Sequence, residues 1–197
     1  MANEIADDGR SQKERMLAGD LYLADDPELQ QMALDAQRRQ AAFNAVDPED
    51  HTQYRLRLKQ LLGAVGADTF LRPPVHVDYG VHIRIGARTF ANYGLVALDV
   101  AAITIGDDVQ IGPNVQLLTP THPVAAAPRR AKWEAAAPIV IGDNVWLGGG
   151  AIVLAGVTIG ANTVVGAGAV VTRDLPADVV AVGNPARVIR DVPENPV

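Results

Sequence analysis

The residue best suited to chemistry is His122, in the run Thr121-His122-Pro123. A neutral imidazole can take a proton from an alcohol near pH 7. His122 opens a segment between Leu117 and Ile139 that holds four prolines, one Trp and three basic residues, where the surrounding sequence is regular. Long excursions from a regular repeat often carry function. The chain has no cysteine, which removes thiol nucleophiles, disulfides and zinc-thiolate sites together. His76 and His82 stand six residues apart and, with His122, make a possible zinc set.

The elements that must position His122 are written in sixes. Residues 105, 111, 117, 141, 147, 153, 159, 165 and 171 are all Ile, Leu or Val, and the next residue is usually Gly. Ile85 and Ala91 keep the phase before a two-residue slip near Ala97. A period of six is not helical, and it reads as a short strand and a corner repeated. Three sides would close a triangular coil, stacking residues 18 apart, such as Ile141 on Ile159 and Leu147 on Val165, about 4.8 Å from each other. The aliphatic positions fill the prism, while Gly, Asn and Asp make corners that need positive φ.

Residues 1–70 have a different character, holding 4 of the 18 glycines and 2 of the 13 prolines. Apolar stripes predict helices from Ser11 to Tyr22, from Pro27 after Asp25-Asp26, and from Pro48 after a cap at Asp47, ending near Gly63 to Gly66. Leu29, Met32, Ala33, Ala36 and Phe43 share one face, as do Tyr54, Leu58, Leu61, Leu62 and Val65. Such a piece would cover the open end of the coil stack and its unpaired strand edges. The expected organisation is a helical cap over 1–70, a β-helix over 71–190 with an excursion at 118–138, and a tail over 191–197.

Composition removes several function classes. The net charge of −6 and pI near 5.1 leave no basic footprint for nucleic acid. Asn144 to Thr172 is 29 residues without a charge, but seven are Gly on a fixed period, which argues against a membrane span. The N-terminus, MANEIADDGRSQKER, has no apolar core for a signal peptide, so a cytoplasmic location is expected.

Together MLAGDLYLADDPEL, VDYGVHIRIG, FANYGLVALDV, TPTHPV, IGDNVWLGGGAIVLAGVTIG, GAGAVVTRDLP and GNPARVIR resemble the maltose O-acetyltransferase and galactoside O-acetyltransferase group of hexapeptide-repeat acyltransferases, from about Met16 to Arg190. The resemblance implies a mainly β fold, a left-handed parallel β-helix with an N-terminal helical segment. It implies a homotrimer that uses acetyl-CoA and no metal, with active sites in the clefts between prisms and a sugar hydroxyl as acceptor. His122 matches the general base of a direct transfer. Asn92 matches a residue at the acetyl-CoA end of the pocket and belongs with His122 in the catalytic set. Asp78 and Asp99 match acceptor-binding positions, and Asp25 or Asp26 matches another.

On the coenzyme side the resemblance assigns Ala167, Thr172, Arg173, Arg187 and Arg190, and the pyrophosphate and 3′-phosphate of coenzyme A need such cations. Gly149 falls where some members carry Ser, so it can offer a thioester oxygen only its backbone N–H. Trp146 walls the acceptor or pantetheine channel, or packs at the trimer seam. Three other readings remain open. One is an acetyltransferase for a xenobiotic hydroxyl, whose group usually lacks the LYLADDPEL-type preface. Another is a zinc lyase on the same coil, although HVDYGVH lacks the ligand spacing. The third is a non-catalytic scaffold.

Overall fold

Each hexad folds as a short strand and a corner, and successive strands stack in parallel into three faces in a computed structural model that describes residues 8–193. The first face stacks Ala64–Val65, Ile83–Ile85, Ile103–Ile105, Ile139–Ile141 and Thr158–Ile159. The second stacks Phe70–Leu71, Phe90–Ala91, Gln110–Ile111, Trp146–Leu147, Val164–Val165 and Val179–Val182, with Arg187–Asp191 added antiparallel at the end. The third stacks Val75–Val77, Leu95–Leu98, Gln116–Leu118, Ile152–Leu154 and Val170–Val171.

Register follows the hexad arithmetic. Ile141 pairs with Ile159 and Leu147 with Val165, 18 residues apart, and all four side chains are buried in one continuous core. Ile85 pairs with Ile105 at a spacing of 20, and Ile105 with Ile141 at 36. The excursion therefore adds 18 residues, as many as one turn holds, without adding a coil, and leaves the phase of the sixes intact. First-to-second corners place Asp68, Arg88, Asp108, Asn144, Asn162 and Asp178 in the left-handed region, where Asn and Asp are tolerated best. Asn144 Nδ2 donates to Asn162 Oδ1, and Asn162 Nδ2 to Asp178 Oδ1.

Helices cover the first coil. Helix α1 (Gln12–Ala18) starts at a Ser11–Glu14 capping box and stops at Gly19. Helix α2 (Pro27–Asn44) is capped by Asp26 with Pro27 at its first position. Helix α3 (His51–Leu61) is capped by Asp50, not Asp47, and the Asp47 side chain accepts the Glu49 N–H in a preceding turn. Val65 and Tyr22, read from sequence as helical, are in strands. The first coil strand is at Ala64, ahead of the expected start at 71.

The cover meets the open edge through side chains that imitate a strand. Asn44 Nδ2 donates to the Val75 carbonyl while its Oδ1 accepts the Val75 N–H, both at 2.9 Å. Gln40 Oε1 accepts the Val77 N–H, and the Tyr54 hydroxyl both accepts the Leu71 N–H and donates to the Leu71 carbonyl. The edge amides of two faces thus find partners that water or another chain would otherwise supply. Phe43, Leu58, Leu61 and Leu62 plug the prism.

The excursion is more structured than a loop. Pro120–Thr121 and Trp133–Ala136 pair antiparallel, Tyr22–Leu23 adds to the other side of Trp133–Ala136, and a short helix α4 (Ala126–Arg130) spans the tip. Among the described residues no helix is long and apolar enough to cross a membrane.

The spacing of coils is set by glycine corners. A methyl on Gly112 would lie 2.5 Å from Gly149 N and 2.9 Å from Gly149 Cα. Both atoms are backbone and cannot swing aside. Gly112→Ala is expected to cost about 2 kcal/mol and lower Tm by roughly 4–8 °C. An unchanged melting curve would show that this corner does not set the stacking distance.

Candidate active site

Every break in the sixes falls on one edge of the prism, between the third face and the first. Val77 to Ile85 and Ala97 to Ile105 take eight residues where Val153 to Ile159 takes six and Val171 to Leu175 four, and the excursion leaves from the same corner between them. Three widened corners therefore stack, carrying Asp78 and Tyr79, then Asp99 and Val100, then Pro120 to His122. They enclose a cavity of about 240 Å³ whose lining includes Tyr22, Asp78, Tyr79, Val100, His122 and Glu134.

His122 follows directly on the strand Pro120–Thr121, and its ring is about half exposed at the cavity rim. Its Nδ1 stands 4.0 Å from Glu134 Oε1, too far for a hydrogen bond. The other Glu134 oxygen accepts a hydrogen bond from the Tyr22 hydroxyl at 2.8 Å. Burial, and after it Glu134, holds the Tyr22 phenol far above its ordinary pKa, so it remains a donor. The arrangement is an imidazole, a carboxylate facing it and a tyrosine fixing that carboxylate. Tyr22 and Glu134 were not picked out from the sequence. Glu134 had a signal, since it is the one acidic residue of the 118–138 segment, but its partner is 112 positions away.

Among the described residues the Asp78 carboxyl makes no hydrogen bond. Burial first, and then repulsion from Asp99 and Glu134, pushes its pKa up to about 6. Asp99 behaves differently from the acceptor-binding expectation. It is fully buried, and its Oδ1 accepts the Tyr79 and Gly80 N–H groups while Oδ2 accepts that of His82. It is an anchor for the corner, because its oxygens are spent on backbone. Asp26 caps α2 through the Glu28 and Leu29 N–H groups, and Asp25 is exposed outside the cavity lining.

The residues assigned to the coenzyme lie elsewhere. Asn92, Gly149 and Ala167 share the second-to-third edge, with the level of Gly112 and Pro113 between Asn92 and Gly149; there Gly168 N–H donates to the Gly149 carbonyl and Asn92 Oδ1 accepts the Tyr93 N–H. Among the described residues the Gly149 N–H is engaged by no hydrogen bond. Thr172, Arg173, Arg187 and Arg190 are exposed at the C-terminal end of the stack. Trp146, about half exposed, lines a separate groove of about 610 Å³ with Asn144, Asn162, Val164 and Asp178, on the first-to-second edge. A single prism thus keeps His122, Asn92 and Trp146 on three different edges. His82 Nδ1 is within 2.7 Å of the Asp99 carbonyl, and among the described residues no group of three His, Cys, Asp or Glu is placed to hold a metal ion.

Comparison with known proteins fits this layout. Residues 15–66 match the maltose acetyltransferase hexapeptide capping motif, and residues 138–173 match the bacterial transferase hexapeptide of six repeats. Nodulation protein L of Rhizobium meliloti (strain 1021) is 50% identical over 91% of this chain and 98% of its own. The chain belongs to the maltose and galactoside O-acetyltransferase family. Among solved structures, a maltose O-acetyltransferase from Clostridium difficile 630 superposes with a TM-score of 0.92 at 43% identity, covering 94% of this chain and 99% of that one. A hexapeptide-repeat acetyltransferase from Vibrio cholerae O1 biovar eltor, complexed with acetyl coenzyme A, gives a TM-score of 0.86 at 38% identity, covering 94% and 100%. In this acetyltransferase the matched capping motif spans α2 and α3, which close the coil, and Tyr22, which reaches the excursion.

The Asp78 carboxyl makes the site's cost measurable. Its folded pKa of about 6 lies above the ordinary 3.8, so the ionised group destabilises the fold fully above pH 6. That cost fades as pH falls from 6 toward 4. Asp78→Asn should therefore stabilise the protein by about 1–3 kcal/mol at pH 8 and have little effect at pH 4. Urea melts of both proteins at the two pH values check this, and an effect independent of pH would contradict it.

Proposed function

We propose that this acetyltransferase moves the acetyl group of acetyl-CoA to a hydroxyl of a sugar or glycoside, with His122 as general base. The observation that carries the reading is His122 at the rim of a cavity whose Asp78 carboxylate has no hydrogen-bond partner among the described residues. Such a carboxylate suits an acceptor that brings O–H donors. The acceptor hydroxyl oxygen attacks the thioester carbonyl while His122 takes its proton. The tetrahedral intermediate collapses with loss of the coenzyme A thiolate, which recovers a proton, and no acyl-enzyme is formed. A main-chain donor such as the free Gly149 N–H is suited to the oxyanion.

Because His122 and the Asn92–Gly149–Ala167 edge lie apart in one prism, the complete site needs two copies, and we assign the assembly as a homotrimer. The acyl end of acetyl-CoA would lie along the glycine edge of one copy facing His122 of the next. Arg173, Arg187 and Arg190 would meet its phosphates. The maltose-type cap favours a sugar over a xenobiotic, since that cap supplies Tyr22 and Ala24 to the acceptor cavity.

His122→Ala should reduce acetyl transfer by roughly 10²–10⁴-fold while coenzyme A affinity, read by calorimetry, is unchanged. The acceptor panel is glucose, maltose, galactosides and chitin-type oligosaccharides. Undiminished turnover would overturn the role of His122, and a flat panel would overturn the sugar acceptor.

A further inference from the structure

The edge that carries Asn92 and the corner glycines continues one coil nearer the cap. Leu71 pairs with Ala91 there and the Arg72 N–H donates to the Ala91 carbonyl, so Arg72 stands beside Asn92 one level up. A cavity of about 360 Å³ lies at that level, between the first coil and the turn joining α2 to α3. Apolar Val46, Pro48, Phe70 and Pro73 line it beside the polar Asp47 and His51. Its volume is within the ~300–1,000 Å³ usual for small-molecule sites. Tyr93 and Arg72 line it too, whereas Asn92 does not. Tyr93, the residue after Asn92, therefore stands between Asn92 and the cavity.

The Tyr93 ring is about half exposed, yet it is braced. The Arg72 guanidinium lies 5.0 Å from its centroid and 5.4 Å from that of Phe90. Among the described residues Arg72 makes no ion pair and no side-chain hydrogen bond, so its charge is spent on the two rings. Phe90 stacks on Phe70 at 6.4 Å and Phe70 on Tyr54 at 4.8 Å, while the Tyr54 hydroxyl is fixed to Leu71. A row of rings thus runs from the cap through Arg72 to Tyr93. The Tyr93 backbone is tied as well, its N–H to Asn92 Oδ1 and its carbonyl to the Asn114 N–H.

We propose that Tyr93, braced by Arg72, holds the donor to short acyl groups by closing the acyl end off from this cavity. This rests on the coenzyme placement above, in which the phosphates meet arginines at the C-terminal end of the stack and the acyl group reaches Asn92. An acyl group laid in that direction points toward the cap. Acetyl stops short of the ring, and a chain longer by several methylenes runs into it. With the ring removed, the same chain enters the cavity and buries its methylenes there.

The test reads binding by calorimetry with the full-length protein, using coenzyme A, acetyl-CoA, butyryl-CoA and hexanoyl-CoA, so it needs no acceptor. The wild-type protein should bind hexanoyl-CoA more weakly than acetyl-CoA. Tyr93→Ala should shift the ratio of hexanoyl-CoA to acetyl-CoA affinity toward the longer chain by at least about 10-fold, since each buried methylene is worth roughly 4-fold. Butyryl-CoA should show a smaller shift. Tyr93→Phe keeps the ring and should keep the wild-type ratio. Arg72→Met removes the brace, should shift the ratio the same way by roughly 2- to 5-fold, and serves if Tyr93→Ala does not fold. A ratio unchanged in both Tyr93→Ala and Arg72→Met would overturn the inference, as would a wild-type protein that binds hexanoyl-CoA more tightly than acetyl-CoA. Asn92→Ala tells that failure from a misplaced coenzyme. It should weaken acetyl-CoA relative to coenzyme A by roughly 3- to 10-fold, as for one lost hydrogen bond. That loss with an unchanged chain-length ratio overturns the role of Tyr93 alone, and no loss overturns the placement and this inference together.

Discussion

The position of His122 depends on an antiparallel latch between distant parts of the chain. Tyr22–Leu23 pairs with Trp133–Ala136, which pairs with Pro120–Thr121, and His122 is the next residue. Without the latch, an excursion from a rigid coil over residues 118–138 would be free to sample many conformations at the cost of ordering it later. The latch is buttressed from beneath. Tyr22 is 1% exposed in a small core with Met16, Leu29, Tyr79, Val100 and Ala136, separate from the core of the prism. Its hydroxyl then fixes Glu134, so one side chain joins the packing of the cap to the electrostatics around the imidazole.

A perfect stack of hexads would be a featureless prism, and the site exists because the repeat widens at one edge three times over. The widened corners would collapse or fray if nothing held them open. Asp99 does so by accepting three backbone N–H groups, in a place where water cannot. Its charge has a consequence one corner away, where it helps lift the Asp78 acid. Structure and chemistry are thus coupled: the carboxylate that stabilises the corner makes its neighbour harder to ionise. The result is an open carboxyl in the cavity whose native cost is a property of the site, as is common where function sets the geometry.

How much could be read from the residues follows from how local each interaction is. The solenoid was legible because every coil repeats one short rule, with an aliphatic residue inward and a Gly, Asn or Asp at the turn. The Asp26–Pro27 start of α2 was legible for the same reason, since a cap acts within three residues. Tyr22 was misread as helical because Met16, Leu17, Leu21 and Tyr22 fit a helical stripe, whereas Gly19 at φ 77° ends the helix first. Asp47-Pro48 imitates a cap that Asp50 performs. The excursion looked like a loop since its strands pair with each other and with residues about 110 positions earlier. Asp99 appeared as a ligand contact because sequence cannot say whether a carboxylate's lone pairs are already taken.

The two halves of the proposed reaction make different demands on a solenoid, which explains why they sit on different edges. A thioester and its pantetheine arm need donors at fixed height, and a corner built of Gly112, Gly148 and Gly149 offers backbone at a spacing set by strand stacking itself. A side chain at Gly112 or Gly148 would collide with the next coil, since a Cβ at either would lie 2.5 Å from a backbone nitrogen there. An acceptor instead needs carboxylates, hydroxyls and a base converging on one point, which a tight corner cannot supply. Only an edge with extra residues has room for Asp78, Tyr79 and His122 together, and only a helical cap can add Ala24 and Ala33 to its wall. The same asymmetry predicts where acceptor choice can change without disturbing the coil. It lies in the widened corners and in α2, because residues there are not tied to the 18-residue step that fixes every other edge.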